Sequence, residues 1–226
     1  MPFRTAILFF SRSAQNEARA KPLCRDHDKS QKFYSLLQGI TLEAAGKSGI
    51  PVVVADESVQ GAGNFADRLD RAVLASFEKG YDNLIVIGND TPDIDHKQLK
   101  SAYDRLQDDR HTVGPSRDGG VYLFTITRES YSKGILTGID WNTSHVFIQM
   151  RAFYKDKCHT LQAKNDIDRF SDVFKIFNRL KGFRLFNQIW SLFNQMRILV
   201  PSVCRKIRSI SVICHSLRGP PGIAIS

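Results

Sequence analysis

Short apolar runs alternate with helix-patterned segments along the first 154 residues of the chain. Each run is short and continuous, as expected of a strand that is buried on both faces. The runs are Thr5–Phe10, Pro51–Ala55, Leu84–Ile87 and Val121–Ile126. Apolar residues at helical spacing occupy about 30–47, 64–79, the stretch after Asp95, and 144–154. This order predicts an α/β fold in which helices cover both faces of a mainly parallel sheet.

Such a sheet also predicts where a ligand would bind. In doubly wound α/β folds, ligands lie beyond the carboxyl ends of the strands. The chemistry is therefore expected after the first and third predicted strands and in the turn before the fourth. The helix after the third strand has a capping-box signal, because Asp95 and Gln98 have the spacing that lets each cap the other's backbone.

Charge is distributed unevenly along the 226 residues, whose formal net charge is +9. Residues 175–226 contain nine basic side chains and no acidic one, so residues 1–174 carry 23 of each sign. This shift predicts two regions, a neutral domain over 1–172 and a basic, aromatic-rich helical tail over 173–226. An anionic partner would then bind the tail rather than the domain.

The compartment is predicted from the cysteines and the apolar runs. Four scattered cysteines form no C-x-x-C pair, and a hydrophobic content of 42% supports a core without disulfides. The apolar run near the start is far shorter than the roughly 20 residues that span a bilayer. We therefore expect a cytoplasmic protein, with peripheral contact at the inner membrane face left open by the basic tail.

The turn after the third strand, Ile87-Gly-Asn-Asp-Thr-Pro-Asp93, is the strongest motif. Gly88 lets a ligand approach the backbone, and Asp90 stands at the carboxyl edge, where it can hold Mg²⁺ or Mn²⁺. The alternative is an ordinary strand-to-helix turn that is capped by Asp93 or Asp95. We favour a functional role for Asp90 and capping for Asp95.

A glycine-rich loop, Gly114-Pro-Ser-Arg-Asp-Gly-Gly120, precedes the fourth strand. It offers backbone N–H groups and a carboxylate, Asp118, although a hairpin turn would also explain it. Together with the Asp90 turn it predicts two loops that converge on one ligand.

Small and basic residues follow the first strand, where a phosphate-binding loop would lie. Ser11, Arg19 and Lys21 belong to this segment, which lacks the glycines of a Walker or Rossmann motif. Lys21 and Arg19 can bind a diphosphate, or they can be solvated surface cations.

Two later segments have both a structural and a functional interpretation. Trp141 can pack on Val146 as a hydrophobic staple, with Asn142 or Thr143 as the helix N-cap, or it can stack on a base or sugar. Asp166 and Asp168 can add metal oxygens if that segment is extended, or Asp168 can cap a helix.

Several of these pieces occur in the order of one family. The matching segments are Asn64–Arg68, Ile87–Pro92, Gly114–Gly120 with Tyr122-Leu123, and Trp141–Ser144. They resemble an uncharacterised bacterial glycosyltransferase-A-like family, similar to nucleotide-diphospho-sugar transferases and more distantly to guanylyltransferases of cofactor biosynthesis. The resemblance covers about residues 4–172.

The resemblance implies a three-layer α/β/α nucleotide-binding fold and assigns residues to roles. The nucleotide and phosphate site comprises Ser11, Arg19, Lys21, Asn64, Gly88 and Asn89. The sugar or acceptor pocket comprises Pro92, Gly119, Gly120 and Trp141. The metal, Mg²⁺ or Mn²⁺, is held by Asp90, Asp166 and Asp168, and Asp118 and Asp90 are the catalytic pair.

The predicted activity is metal-dependent transfer from a nucleotide sugar. The cation neutralises the diphosphate leaving group, and Asp118 positions or deprotonates the acceptor hydroxyl. The alternatives are a nucleotidyltransferase, which releases pyrophosphate, and a non-catalytic nucleotide-binding or scaffold protein.

The tail has its own predicted partner. Phe174, Phe177, Leu180, Phe183, Phe186, Ile189, Trp190 and Phe193 form an apolar face among lysines and arginines. Residues 174–208 would suit an anionic membrane surface, whereas residues 170–193 are interpreted first as a helix that packs on the domain. Nucleic acid is not expected, because no recognition motif accompanies the charge.

Overall fold

The computed structural model describes residues 4–167, 172 and 186–197. Six strands form one sheet in the order β2-β1-β3-β5-β4-β6. They are β1 (Thr5–Phe10), β2 (Val52–Ala55), β3 (Asn83–Ile87), β4 (His111–Pro115), β5 (Val121–Thr127) and β6 (Cys158–Thr160). β5 runs antiparallel to both of its neighbours, and the other pairs are parallel. The prediction of a mainly parallel sheet is confirmed.

Eight α-helices are described along the chain. They are α1 (Ala14–Ala20), α2 (His27–Lys47), α3 (Glu57–Gln60), α4 (Phe65–Glu78), α5 (His96–Gln107), α6 (Arg128–Ser132), α7 (Val146–Tyr154) and α8 (Phe186–Arg197). The capping box of Asp95 and Gln98 is present, with Gln98 N donating to Asp95 Oδ1 over 2.8 Å. Gly80 ends the turn after α4 at a φ of +87°, a backbone conformation that favours glycine.

Helices lie on both faces of the sheet, which makes three layers. Successive residues of β1 point to opposite faces, as a strand requires. Ala6 and Leu8 pack in a cluster with α4 and α7, whereas Ile7 and Phe9 pack with α5 and the end of α2. A third cluster joins α1, α2, Ile167 and α8. The predicted α/β/α architecture is therefore confirmed.

The structure adds two strands that the sequence did not indicate. β4 reads HTVGP and β6 reads CHT, so neither has the continuous apolar run of a buried strand. β4 is nevertheless buried throughout, because β5 and β6 flank it. The reversal of β5 has a consequence for the site: its first residue lies at the edge where β1, β3 and β4 end.

The loop after β1 is short, because Ser13 accepts a hydrogen bond from Asn16 N and α1 begins at Ala14. One local prediction was wrong. The helix α7 is capped by neither Asn142 nor Thr143. It begins after His145 without a side-chain cap. Thr143 Oγ1 lies before the helix, where it donates to the Asp140 carbonyl over 2.7 Å and accepts from His145 N over 3.3 Å.

The described part of the tail packs on the domain. In α8, Ile189 is fully buried and Leu192 nearly so, both against the cluster that includes α2. Trp190 is 39% exposed. Half of the predicted apolar face, from Phe174 to Phe183, lies outside the described residues, so contact with a membrane surface stays a prediction. The 172/173 boundary and the cytoplasmic location also stay predictions. Within the described residues, no helix has the length and hydropathy to cross a bilayer.

Candidate functional site

A cavity of about 340 Å³ opens at the carboxyl edge of the sheet. The ends of β1 and β3 and the start of β5 line it, together with side chains of α1, α3 and α4. This is the place that the sequence predicted, after the first and third predicted strands and before the fourth. Four predicted site residues at its wall follow strand ends: Ser11, Gly88, Asn89 and Asp90.

Three cations line this cavity, namely Arg12, Lys21 and Arg68. Arg68 donates to Gln60 Oε1 over 3.1 Å, which holds its guanidinium beside α3. Burial, followed by the nearby Arg12, lowers the pKa of Arg68. Two like charges at one cavity repel each other, so an anion that contacts both guanidinium groups would be stabilised.

One buried carboxylate, Glu17, stands among these cations. It is 5% exposed, and Arg12 Nη1 lies 3.8 Å from Glu17 Oε2. Burial and then the charge of Asp90 raise the pKa of Glu17, while Lys21 and Arg12 oppose the rise. Glu17 therefore faces both Asp90 and the cations, and it partly balances the positive wall.

Asp90 is held at the cavity edge by contacts on both sides. Its side chain pairs with Lys21, with Nζ 3.3 Å from Oδ2. Its carbonyl accepts a hydrogen bond from Ile167 N over 2.8 Å. This backbone bond brings Asp166 to the same cavity as Asp90, although the two are far apart in the sequence.

Asp166 is the most perturbed carboxylate of the site. Its Oδ1 accepts a hydrogen bond from Thr91 Oγ1 over 2.7 Å. Burial is the main cause that raises its pKa to about 6, and the charges of Asp118 and Asp90 add to the rise. Hydrogen bonds from Thr91 and Ser116 oppose it. Three acidic groups therefore interact across this one edge.

A buried ion pair fastens the segment that carries Asp166. Lys164 Nζ lies 3.5 Å from Asp93 Oδ1 and also donates to the Asp93 carbonyl. Both side chains are almost fully buried. Since Asp93 belongs to the turn after Asp90, this pair fixes the two acidic segments relative to each other.

The donor set fits a divalent cation that is shared with a ligand. Among the described residues, no group of three or more His, Cys, Asp or Glu side chains is arranged to hold a metal. Asp90 and Asp166 nevertheless place two carboxylates on one cavity, and Mg²⁺ commonly binds through one or two carboxylates together with substrate phosphates. Asp168, the third predicted ligand, lies outside the described residues.

A second cavity of about 320 Å³ adjoins the first and shares Trp141 and Asp166 with it. Asp118 and Gly120 line it. Asp118 Oδ1 accepts hydrogen bonds from Ser116 Oγ over 2.8 Å and from Gly120 N over 2.9 Å. The two predicted loops do converge on one cleft.

Trp141 serves the core and the cleft together. Its ring lies 5.2 Å from that of Phe65 and 6.0 Å from that of Phe124, and Nε1 donates to the Leu136 carbonyl over 2.9 Å. Trp141 also packs in the cluster that contains Val146. Trp141 also borders both cavities. It can therefore pack in the core and contact a ligand at the same time.

Four predicted site residues do not line either cavity. Arg19 is exposed at the end of α1 and donates to Asn16 Oδ1 over 3.3 Å. Asn64 caps α4 through a reciprocal bond with Asp67. Pro92 is buried next to Thr91. Gly119 has a φ of +94°, and a Cβ there would lie 2.1 Å from the carbonyl oxygen of Ser144, so packing requires this glycine.

Several residues that line the first cavity were not predicted as site residues, namely Arg12, Glu17, Gln60, Arg68 and Thr91. Ser13 as an N-cap is the signal that could have placed the two arginines. A helix that begins after Ser13 leaves Arg12 before its first turn and puts Arg19 on its solvent side. Gln60 Nε2 donates to the carbonyls of Ser11 over 3.0 Å and of Ala55 over 2.7 Å. No local sequence pattern predicts that a glutamine will link the carbonyls at the ends of two strands.

Residues 42–143 match a family model of uncharacterized proteins conserved in bacteria, DUF2064. The match includes the Asp90 turn and the loop with Asp118, and it confirms the resemblance stated from the sequence. It does not include Lys21 or Asp166. The comparison with curated proteins gave no match.

Solved structures share the fold at low sequence identity. A protein from Desulfovibrio desulfuricans G20, provisionally named a nucleotide-diphospho-sugar transferase, is 18% identical with a TM-score of 0.71, over 88% of this chain and 98% of that one. A cytidylyltransferase from Leptospira borgpetersenii serovar Hardjo-bovis is 14% identical, with a TM-score of 0.53 over 88% and 97%. Rv0371c from Mycobacterium tuberculosis H37Rv is 16% identical, with a TM-score of 0.52 over 78% and 98%. The chain therefore has the nucleotide-diphospho-sugar transferase fold.

Proposed function

We propose that the protein is a metal-dependent transferase that takes a nucleotide sugar as donor. One observation carries the proposal: cations and carboxylates line the same cavity at the carboxyl edge of the sheet. Arg12, Lys21 and Arg68 are suited to phosphate oxygens, and Asp90 with Asp166 is suited to Mg²⁺ or Mn²⁺. A diphosphate that carries a divalent cation needs both kinds of group.

The phosphates would bind between α1 and the turn after β3. Gly88 leaves open space there, because no atom would lie within 4 Å of an added Cβ. Asn89 Nδ2, which is buried, has no hydrogen-bond partner among the described residues. An acceptor atom of a ligand would satisfy this amide donor. Ser11, which follows the end of the neighbouring strand β1, also lines this cavity.

The remaining groups would act on the transferred sugar and the acceptor. A divalent cation at Asp90 and Asp166 supplies charge neutralisation at the diphosphate leaving group. Asp118 accepts the proton of the acceptor hydroxyl as that oxygen bonds to the sugar and the bond from sugar to diphosphate breaks. Its hydrogen bonds to Ser116 and Gly120 hold the carboxylate at the wall of the second cavity. Trp141 offers an apolar surface to the sugar.

A second activity, nucleotidyl transfer, is also supported. The Leptospira protein that shares this fold is named a cytidylyltransferase. Three cations at one cavity would also suit a triphosphate, which carries more negative charge than a diphosphate. In that reaction the acceptor oxygen attacks the α-phosphorus and pyrophosphate leaves. The two activities therefore differ in the product that is released.

The first experiment measures binding. Full-length protein and Asp90→Asn are titrated with nucleoside diphosphates, nucleotide sugars and nucleoside triphosphates, with and without Mn²⁺, by calorimetry and thermal shift. Asp104→Asn is the matched control, because Asp104 also pairs with a lysine, Lys100, but lies on the exposed face of α5. We expect metal-dependent binding that is lost in Asp90→Asn and kept in Asp104→Asn. Folded wild-type protein that binds none of these ligands would instead indicate a non-catalytic scaffold.

The second experiment identifies the product. Release of a nucleoside diphosphate with the bound donor supports sugar transfer, and release of pyrophosphate from a triphosphate supports nucleotidyl transfer. Asp118→Asn keeps the hydrogen bonds of the turn but removes the proton acceptor. We expect Asp118→Asn to bind the donor like the wild type and to turn over at least about 100-fold more slowly. Full turnover by this variant would exclude Asp118 as the base.

A further inference from the structure

We propose that Lys21 is the resident counterion of Asp90, and that a divalent cation takes Asp90 over only when the Lys21 ammonium moves onto the phosphates of the nucleotide. This inference rests on the proposed function, because it concerns the same cavity. It predicts that the free protein binds a divalent cation weakly, because Lys21 occupies Asp90. The anionic ligand draws Lys21 away and so strengthens binding of the cation.

The first support is the ion pair itself. Lys21 Nζ lies 3.3 Å from Asp90 Oδ2, and both side chains are about one-third exposed. A partly exposed ion pair contributes little to stability, so a stronger partner can displace it. The ammonium therefore lies within bonding distance of the carboxylate on which the proposed cation site depends, and it repels a second cation there.

The second support is that hydrogen bonds hold the Lys21 backbone, whereas its ammonium is carried by a flexible four-carbon stem. Lys21 N donates to the Glu17 carbonyl over 2.8 Å and ends α1. Its own carbonyl accepts a hydrogen bond over 2.9 Å from Tyr34 Oη, and Tyr34 is only 1% exposed. Only the flexible four-carbon stem can swing. Lys21 can therefore leave Asp90 without unfolding α1.

The third support is the charge that surrounds the ammonium. Lys21 acts on Glu17 as well as on Asp90, and Arg12 and Arg68 act on Glu17 too. A phosphate group that entered this cavity would attract all three cations. It would draw Lys21 from Asp90 and leave the carboxylate to a divalent ion. Anion and metal then bind with positive coupling, which must be reciprocal.

The test uses Mn²⁺ alone and inorganic pyrophosphate as probes on the full-length protein. Free Mn²⁺ is followed by electron paramagnetic resonance, and pyrophosphate binding by calorimetry. Lys21→Met removes the charge and keeps the length of the stem. Lys100→Met is the matched control, because Lys100 Nζ pairs with Asp104 at 3.1 Å on the exposed surface of α5. Lys21→Gln is a second neutral variant if Lys21→Met folds poorly.

We expect Lys21→Met to bind Mn²⁺ about tenfold more tightly than the wild type in the absence of pyrophosphate. The same variant should bind pyrophosphate about tenfold more weakly, and Lys100→Met should change neither affinity. Unchanged or weaker Mn²⁺ binding in both neutral Lys21 variants would overturn the inference, and so would an equal gain in Lys100→Met.

The outcome separates this inference from the proposed function. If wild-type protein binds Mn²⁺ and nucleotide together and loses both in Asp90→Asn, but Lys21→Met gains no Mn²⁺ affinity, the function stands and the role of Lys21 falls. If Lys21→Met gains Mn²⁺ affinity while no nucleotide binds to any form, the counterion role stands and the transferase proposal falls.

Discussion

His111 on β4 predicts how the stability of the protein changes with pH. Its ring is 7% exposed and stacks on Tyr154, with centroids 3.9 Å apart and planes 14° from parallel. Burial is the main cause that lowers its pKa from 6.5 to about 4, although the charge of Asp109 opposes the change. The folded protein therefore keeps this imidazole neutral at a pH where the unfolded chain already protonates it.

The sign and size follow from that difference. Above pH 6.5 both states are neutral at this residue, so its contribution to stability is fully present. As the pH falls, the unfolded chain takes up the proton first, and the free energy of unfolding decreases. Linkage gives a loss of ~2 kcal/mol between pH 7 and pH 5, and ~3 kcal/mol once the folded-state pKa is passed.

The assay compares wild type with His111→Phe in urea at pH 7 and pH 5. Phenylalanine keeps a flat ring against Tyr154 and cannot titrate. We expect the wild type to lose ~2 kcal/mol more than the variant between these two pH values. Equal losses in both proteins would refute the reasoning, as would an NMR titration that places the His111 pKa near 6.5.

Three further predictions test the site and its supports. Asp166→Asn should stabilise the metal-free protein by ~3 kcal/mol at pH 8 and about half that at pH 5, measured by urea unfolding in EDTA. The unfolded chain ionises this carboxyl from about pH 3.8, whereas the folded protein keeps it protonated up to about pH 6, so the wild type loses stability as the pH rises across that interval. Although burial opposes it, hydrogen bonds from Ser13 and Asn16 lower the pKa of Glu57 to about 2. Wild-type protein should therefore lose stability from about pH 4.5 towards pH 2 in thermal melts, and Glu57→Gln should lose less. Gly119→Ala should cost at least ~2 kcal/mol, since its Cβ would meet a backbone carbonyl, whereas Gly46→Ala in α2, which has open space, should stabilise by up to ~1 kcal/mol.

The fold could be predicted where strands consist of continuous aliphatic runs. β3, with the sequence NLIVI, is buried at every position and was found within one residue. β4 could not be found in this way, because its burial comes from β5 and β6 rather than from its own composition. The antiparallel direction of β5 could not be predicted either, because an apolar run indicates a buried strand but not the direction in which it pairs.

The site could be predicted where a residue follows a strand end directly. Asp90 is such a residue, and the structure places it on the cavity wall. Arg12 and Arg68 reach the same cavity from different segments, and their meeting depends on packing between α1, α3 and α4. Arg19, which the sequence offered as a phosphate ligand, is exposed at the end of α1 and donates to Asn16 Oδ1, because the rotation of α1 turns it away from the cavity.

The central strand pairs join parts of the chain that are far apart in sequence, and this governs how the protein folds. β1 pairs with β3, and next to that pair Arg4 N bonds Asp82 Oδ2 across 78 positions. Contacts of such high sequence separation slow folding, because a long loop must close before they form. The cavity lies at the edge of these strands and is complete only after they pair. A ligand of the cavity should therefore slow unfolding without speeding folding, and resistance to protease should rise with its concentration.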